Sequence, residues 1–170
     1  MRALFVGRFQ PFHNGHVAAL RFILGECDEV IIMVGSAQFE NTLVNPFSAD
    51  ERMEMIKAVL KAANFEKKCA VVPVPDINDH SKWVSHVKSL VPPFDVVYSN
   101  HELTQKLFKS AGITVKPIPF YRREELEGTK IRRAIVEGRE WKDRVPVQVA
   151  EIMVKIGGIE RLKGINSKAR

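Results

Sequence analysis

Short apolar runs alternate with segments of helical periodicity along almost the whole chain. In the first helical segment, residues 15–26, Val17, Leu20 and Leu24 fall on one face. Strands that alternate with helices form a parallel sheet that is covered on both faces. The predicted strands are residues 3–6, 30–34, 70–74, 95–99 and 114–117.

The boundaries of the predicted helices carry local signals. Ser48 and Glu51 have the spacing of a capping box, and a proline pair beginning at Pro92 must end the next helix. From Thr129 onward the pattern is helical only. We therefore predict an α/β fold: a single-domain, Rossmann-like, parallel five-stranded sheet with helices on both faces and a helical C-terminal part, within residues 1–160.

The net charge of +6 in 170 residues is unevenly distributed. The last ten residues contain four basic residues and no acidic one: Arg161, Lys163, Lys168 and Arg170. The rest of the chain therefore has a net charge of only +2. No predicted strand has the interleaved aromatic and basic residues of an RNA-binding sheet. We expect no nucleic-acid partner, and we expect residues 161–170 to be a separable basic tail that frays.

The composition predicts a folded protein in a reducing compartment. Hydrophobic residues make up 45% of the chain, yet no apolar run approaches the ~18 residues of a membrane span. The apolar run at residues 3–6 is too short for a signal peptide. The two cysteines, Cys27 and Cys69, form neither a disulfide framework nor a zinc spacing. A cytoplasmic location without a membrane partner is expected.

The loop after the first predicted strand begins at Gly7 and reads G-R-F-Q-P-F-H-N-G-H. It matches neither of the two common phosphate loops, G-x-G-x-x-G and G-x-x-x-x-G-K-[ST]. Instead Arg8 supplies a cation, and His13 and His16 bracket Gly15 where a helix starts. A helix N-terminus attracts anions, two imidazoles add donors, and a glycine lets a phosphate approach the backbone. The loop thus predicts an oxyanion site without a lysine.

Two other interpretations remain open for the histidine pair. His13 and His16 could bind a metal, but no third ligand lies nearby in the sequence, so we predict no metal site in the protein. Taken singly, either histidine could also be structural, with its hydrogen bonds satisfied inside the fold. The oxyanion interpretation rests on the full ten-residue string in the expected loop.

This string resembles the signature of the H-x-G-H nucleotidylyltransferases, and its Gln10-Pro11-Phe12 form is similar to the archaeal-type nicotinamide-nucleotide adenylyltransferases. A second segment, G-T-K-I-R-R from Gly128, resembles the superfamily's Ser/Thr-rich element that opens a late helix and binds triphosphate. Similarities extend over residues 2–159. One departure is Glu127, which stands where the family usually has Ser, so that hydroxyl donation falls to Thr129.

The resemblance implies transfer of the adenylyl group of ATP to nicotinamide mononucleotide (NMN), which gives NAD and pyrophosphate. The attacking phosphate monoester has a second pKa of ~6, so it is mostly a dianion at neutral pH and needs no general base. Mg²⁺ bound to ATP and a homo-oligomer are implied as well. The alternatives are another phosphate acceptor, such as phosphopantetheine or flavin mononucleotide (FMN), and a non-catalytic nucleotide sensor.

The resemblance also implies roles at the ATP side of the site. His16 donates to the α-phosphate oxygen, His13 holds the β- or γ-phosphate, and Arg132 grips the leaving pyrophosphate. Thr129 is expected to cap its helix. The other expected ATP contacts are Gly7, Arg8, Phe9, Gly15, Tyr98, Ser99, Tyr121, Arg122 and Gly128.

At the NMN side, Trp83 is expected to stack on the cationic nicotinamide ring. Core packing is the alternative for Trp83, and a surface ion pair is the alternative for Arg52. The expected NMN contacts are Arg8, Gly35, Ser36, Arg52, Asp76, Ile77 and Trp83. His80, His86 and His101 are expected to be surface or structural histidines.

Overall fold

The computed structural model describes residues 1–169 and confirms the alternation of strands and helices. Its strands are β1 (Arg2–Gly7), β2 (Glu29–Val34), β3 (Cys69–Pro73), β4 (Val96–Tyr98) and β5 (Thr114–Lys116). Its α-helices are α1 (Asn14–Glu26), α2 (Ala49–Ala62), α3 (His80–Leu90), α4 (Glu102–Ser110), α5 (Gly128–Val136), α6 (Val147–Lys155) and α7 (Gly158–Lys168). The strand ends differ from the predicted ones by at most one residue.

All five strands are parallel, in the order β3-β2-β1-β4-β5. The chain moves outward from β1 to β3, then returns to the other side of β1 to form β4 and β5. The direction of winding therefore reverses between β1 and β4. In such sheets a crevice opens beyond the carboxyl ends of the strands at this reversal, and ligands bind there.

The two faces of the sheet carry separate hydrophobic cores, because successive side chains of a strand point in opposite directions. On β1, Ala3 and Phe5 face the larger core, which α1, α2, α5, α6 and α7 cover, whereas Leu4 faces a smaller core under α3 and α4.

Helix α2 starts at the predicted capping box. The Ser48 hydroxyl accepts a hydrogen bond from the Glu51 amide at 3.1 Å, and the Glu51 carboxylate accepts one from the Ser48 amide at 2.9 Å. Two otherwise free backbone donors are thereby satisfied, which fixes the first turn of the helix.

The expectation that the basic tail frays is wrong over residues 161–168, which belong to α7. Gly157, in the left-handed region at a φ of 68°, turns the chain between α6 and α7 instead of ending the fold. Leu162 is fully buried, so α7 packs on the larger core. Arg170 lies outside the described residues. Among residues 1–169, no helix is long and apolar enough to cross a bilayer.

Candidate active site

A cavity of about 630 Å³ opens at the carboxyl ends of β1, β2 and β4, on the side of α3 and α4. We call it the acceptor cavity. It brings together most of the predicted NMN contacts and a few of the ATP contacts. These predicted residues line it: Gly7, Arg8, Gly35, Ser36, Asp76, Ile77, Trp83 and Ser99. Sequence reasoning missed these lining residues: Val6, Met33, Asn78, His80, His101, Leu103, Thr104 and Leu107.

Two loops hold a carboxylate in the acceptor cavity. The Ser36 hydroxyl donates to Oδ2 of Asp76 at 2.6 Å. The side-chain amide of Gln38 accepts from the Asp76 amide at 2.9 Å and donates to the Asp76 carbonyl at 3.0 Å. Asp76 is therefore fixed between the loops that follow β2 and β3, and this part of the cavity is negative.

Trp83 lies between the cavity and the smaller core. It lines the acceptor cavity, and its ring also meets Phe108 edge to face, with 5.3 Å between the centroids and 70° between the planes. Phe108 belongs to the smaller core and fixes the indole from behind. Such a fixed ring at a cavity wall is suited to stacking on a flat ligand.

The imidazoles of His13 and His16 cap α1. Nδ1 of His13 accepts a hydrogen bond from the Gly15 amide at 3.1 Å, and Nδ1 of His16 accepts one from the His13 amide at 3.1 Å. The two rings are stacked, with 3.6 Å between their centroids. A ring nitrogen that accepts carries no proton, so each neutral ring has its proton on Nε2. Both Nε2–H groups are then available as donors.

Burial keeps both rings neutral. It lowers the pKa of His13 from 6.5 to about 4, against the smaller opposing effect of Glu127. Burial also lowers the pKa of His16 well below 6.5, with a further contribution from His13. At pH 7 the pair therefore supplies hydrogen-bond donors without positive charge.

Aromatic side chains fix the orientation of His16. The Phe12 ring stacks on it at 5.3 Å and 21°, and Phe9 meets it edge to face at 4.8 Å and 76°. Phe9 is only 2% exposed, so its side chain supports His16 from within the larger core, and its contact with ATP stays a prediction. The aromatic residues of the G-R-F-Q-P-F string were the signal for this support.

The structure gives a different reason for Gly15 from the one predicted. A Cβ atom at this position would lie 2.9 Å from Cε1 of His13, closer than real contacts allow. The glycine is thus required first by the imidazole cap of its own helix.

Helix α5 is tied to the histidine loop through Arg132, which is 8% exposed. Its guanidinium donates to the Gln10 carbonyl at 2.7 Å, to the Leu43 carbonyl at 2.9 Å and to the Thr129 hydroxyl at 3.2 Å. A Cβ at Gly128 would lie 2.8 Å from Nη1 of Arg132. The predicted elements at Gly7–His16 and Gly128–Arg132 are therefore adjacent in space.

The prediction that Thr129 caps α5 is wrong. The helix begins at Gly128, and Glu127 occupies the cap position without a side-chain capping bond. The Glu127 carboxylate is instead 2.8 Å from Nε of Arg123 and 3.7 Å from Nζ of Lys130, and the Arg123 hydrogen bond lowers its pKa. These two cations compensate the negative charge that stands where the family usually has Ser.

Arg52 is fully buried, so the alternative of a surface ion pair is wrong, whereas its contact with NMN stays a prediction. Its side chain donates to the carbonyls of Arg8 and Gly35 at 2.7 Å, and of Ser36 and Ser48 at 3.2 Å. Burial lowers its pKa to about 10, which leaves it charged at pH 7. Its donors are occupied by backbone, which sequence spacing could not reveal.

Three other predicted ATP contacts lie away from the acceptor cavity. Tyr98 is fully buried in the larger core, on the opposite face of the sheet, and its hydroxyl donates to Glu26. Tyr121 is 52% exposed, and Arg122 forms an ion pair with Glu125. Among the predicted adenine and ribose contacts, only Ser99 lines the cavity.

His101 is both structural and part of the cavity wall. It caps α4, with its Nδ1 accepting from the Thr104 amide at 3.4 Å, and both residues line the cavity. His86 is hydrogen-bonded to the Pro75 carbonyl at 2.8 Å, in agreement with a structural role. Across residues 1–169, no group of three or more His, Cys, Asp or Glu side chains is placed to hold a metal ion.

Comparisons with known proteins agree with the motifs. A cytidylyltransferase-like family model matches residues 4–134. A nicotinamide-nucleotide adenylyltransferase of Thermococcus onnurineus is 48% identical over 95% of this chain and 87% of its own length. One of Archaeoglobus fulgidus is 47% identical over 99% of both chains.

The fold also matches a solved structure, a bifunctional NMN adenylyltransferase/ADP ribose pyrophosphatase of Francisella tularensis complexed with AMP and a manganese ion. The TM-score is 0.79 at 21% identity, over 98% of this chain. The chain spans 53% of that bifunctional protein.

Proposed function

The chain belongs to the nicotinamide-nucleotide adenylyltransferases of the cytidylyltransferase-like family, and we infer from this that it transfers the adenylyl group of ATP to NMN. NAD and pyrophosphate are the products, so the enzyme acts in NAD biosynthesis. The single observation that carries the proposal is the neutral pair of imidazole donors at the start of α1, in a fold whose cavity has a fixed tryptophan and a fixed carboxylate.

The reaction suits a site without a general base. The NMN phosphate is already largely a dianion at neutral pH, and it attacks the α-phosphorus of ATP as the bond to pyrophosphate breaks. Catalysis then consists of in-line placement and stabilisation of the charge that develops on the transferring group. In our proposal Nε2–H of His16 donates to an α-phosphate oxygen and that of His13 to the β- or γ-phosphate.

The acceptor cavity suits NMN at both ends. Its exposed Arg8 supplies a cation for the phosphate. Trp83 offers an aromatic face to the cationic nicotinamide ring, and Asp76 adds a negative charge near it. In this proposal Arg52 supports the NMN site indirectly, because its side chain donates to backbone carbonyls of the loops after β1 and β2.

The triphosphate fits the start of α5 beside the histidine pair. Thr129 supplies a hydroxyl there, and the helix N-terminus supplies free amide donors. Arg132 uses three of its five N–H groups on the Gln10 and Leu43 carbonyls and the Thr129 hydroxyl, which leaves two N–H groups for phosphate oxygens. We therefore propose that it binds the triphosphate and the leaving pyrophosphate while it stays anchored to the backbone.

Three further properties belong to this proposal. A divalent cation, Mg²⁺, accompanies ATP and neutralises phosphate charge, held by phosphate oxygens and water, which is how Mg²⁺ usually binds nucleotides. The enzyme is also proposed to be cytoplasmic and to assemble as a homo-oligomer.

A panel of acceptors tests the function. Purified protein is incubated with ATP, Mg²⁺ and one acceptor at a time: NMN, nicotinate mononucleotide, phosphopantetheine or FMN. Pyrophosphate release and the adenylylated product are measured. NMN is expected to give NAD with a kcat/KM well above that for phosphopantetheine and FMN. Turnover of only a non-nicotinamide acceptor would overturn the assignment, and ATP binding without turnover would support a nucleotide sensor.

A further inference from the structure

We propose that Arg161, on α7, is a positioning residue for the acceptor cavity, acting through Glu51 and Arg52 at the start of α2. The inference deepens the proposed function, on which it rests for the identity of the acceptor. It concerns a segment that lies after the matched family region at residues 4–134. The connection is a series of hydrogen bonds from α7 to the cavity wall.

The first link is a bidentate ion pair between Arg161 and Glu51. Nη1 and Nη2 of Arg161 lie 2.7 and 2.8 Å from the two carboxylate oxygens, and Nη1 also donates to the Pro46 carbonyl at 3.1 Å. The two side chains are 23% and 21% exposed. The pairing of both oxygens and the partial burial set it apart from a mobile surface ion pair.

The second link is the first turn of α2. The Glu51 carboxylate that binds Arg161 also accepts the Ser48 amide at 2.9 Å. The Ser48 carbonyl in turn accepts from Nε of Arg52 at 3.2 Å. Since Glu51 and Arg52 are neighbours on one helix, one faces α7 while the other faces the interior. A shift of the Glu51 end therefore moves the guanidinium of Arg52.

The third link joins Arg52 to the cavity. Its guanidinium donates to the carbonyls of Arg8, Gly35 and Ser36, and the side chains of Arg8 and Ser36 line the cavity. Within the described part of the chain, Arg52 has no carboxylate at ion-pair distance, so these carbonyls are what orient its planar fork. The guanidinium of Arg52 thus holds the loops after β1 and β2 together. Its three hydrogen bonds to these loops fix its orientation.

The triphosphate side is held by a different guanidinium, that of Arg132. Loosening Arg161 should therefore disturb the binding of the acceptor more than the binding of ATP. This difference between the two substrates distinguishes a positioning role from general stabilisation by α7, which would lower the amount of folded enzyme without changing either KM.

Two variants remove the ion pair with little other change. Glu51→Gln keeps an oxygen that can accept the Ser48 amide, so the capping box survives. Arg161→Met keeps the length of the side chain but has no donors. Lys163→Met is the matched control, since Lys163 is exposed on the same helix and has no ion pair among the described residues. Initial rates give kcat and both KM values for each variant.

We expect the KM for NMN to rise about tenfold in Glu51→Gln and in Arg161→Met, as small misplacements in binding sites commonly cause. The KM for ATP should change less than about twofold, and Lys163→Met should behave as wild type. The double variant should be no worse than either single one, because both remove the same interaction. Arg161→Lys should restore part of the loss.

Unchanged KM values with a lower melting temperature would overturn the proposal and leave α7 a purely structural element. Additive effects of the two substitutions would also overturn it, because the two residues would then act separately. Wild-type enzyme that does not use NMN would instead contradict the proposed function. The same variants would then be scored by the KM of the acceptor that the enzyme does use, and the positioning role would be supported or refuted on that acceptor.

Discussion

The neutral imidazole of His13 makes the stability of the protein depend on pH in a way that a substitution can isolate. Burial lowers its pKa from 6.5 to about 4 in the folded chain. Between these two values the unfolded chain binds a proton that the folded chain does not, so acidification favours unfolding. The contribution of the neutral His13 ring to stability is fully present above pH 6.5. It is lost as the pH falls towards 4, and it changes no further below that.

The size of the effect follows from the two pKa values. Through His13 alone, the free energy of unfolding is roughly 2 kcal/mol lower at pH 5 than at neutral pH, and roughly 3 kcal/mol lower at pH 4. The variant His13→Asn removes the titrating group but keeps a side-chain oxygen that can accept the Gly15 amide, since Asn is a favoured N-cap residue. Its unfolding free energy should therefore depend less on pH than that of the wild type.

Urea unfolding at pH 7 and pH 5 measures the difference. Other acid-sensitive groups contribute to both proteins and cancel in the comparison. Between pH 7 and pH 5 we expect the free energy of unfolding of the wild type to fall by about 2 kcal/mol more than that of His13→Asn. The variant His80→Asn removes an exposed histidine and controls for the change of residue type. If wild type and His13→Asn lose the same stability, His13 is not a buried neutral ring, and the assignment of its Nε2–H as a donor fails.

Three further substitutions test the site. His16→Ala should lower kcat by ~10²-fold with little change in ATP affinity measured by calorimetry, and an unchanged kcat would remove His16 from the mechanism. Trp83→Ala should raise the KM for NMN about tenfold while kcat stays near wild type, whereas loss of folding by circular dichroism would favour core packing. Gly128→Ala should raise the KM for ATP several-fold, because its Cβ would lie 2.8 Å from Nη1 of Arg132 and 3.3 Å from the Gln10 carbonyl. An unchanged KM would mean that Arg132 does not contribute to ATP binding.

Sequence reasoning predicted the strands and the capping box, because each has a local cause. Short apolar runs between helical segments, and a Ser and a Glu three positions apart, are visible without tertiary structure. Most of the residues predicted to contact NMN lie together in one cavity, since the carboxyl ends of parallel strands meet at one edge of the sheet.

The partners of the buried arginines could not be predicted. Arg52 binds carbonyls of two separate loops, and every residue has a carbonyl, so no residue type in the sequence marks the partners. Tyr98 was misplaced for a simpler reason. The prediction rested on its position at the end of a strand. Because successive side chains of a strand point to opposite faces, the Tyr98 side chain lies on the face away from the acceptor cavity. The prediction of a frayed tail was wrong because it considered only the basic residues. It overlooked Leu162, which is buried and anchors α7.

Helix α7 is the last of the described elements to be synthesised, so the order of chain growth affects when the acceptor cavity can form. A nascent chain that has reached Lys155 already contains all five strands and both predicted phosphate-binding segments. It still lacks Arg161, the partner of Glu51. Such a chain can form the sheet before its acceptor cavity is braced, so we expect tight binding of NMN only after the final helix has docked.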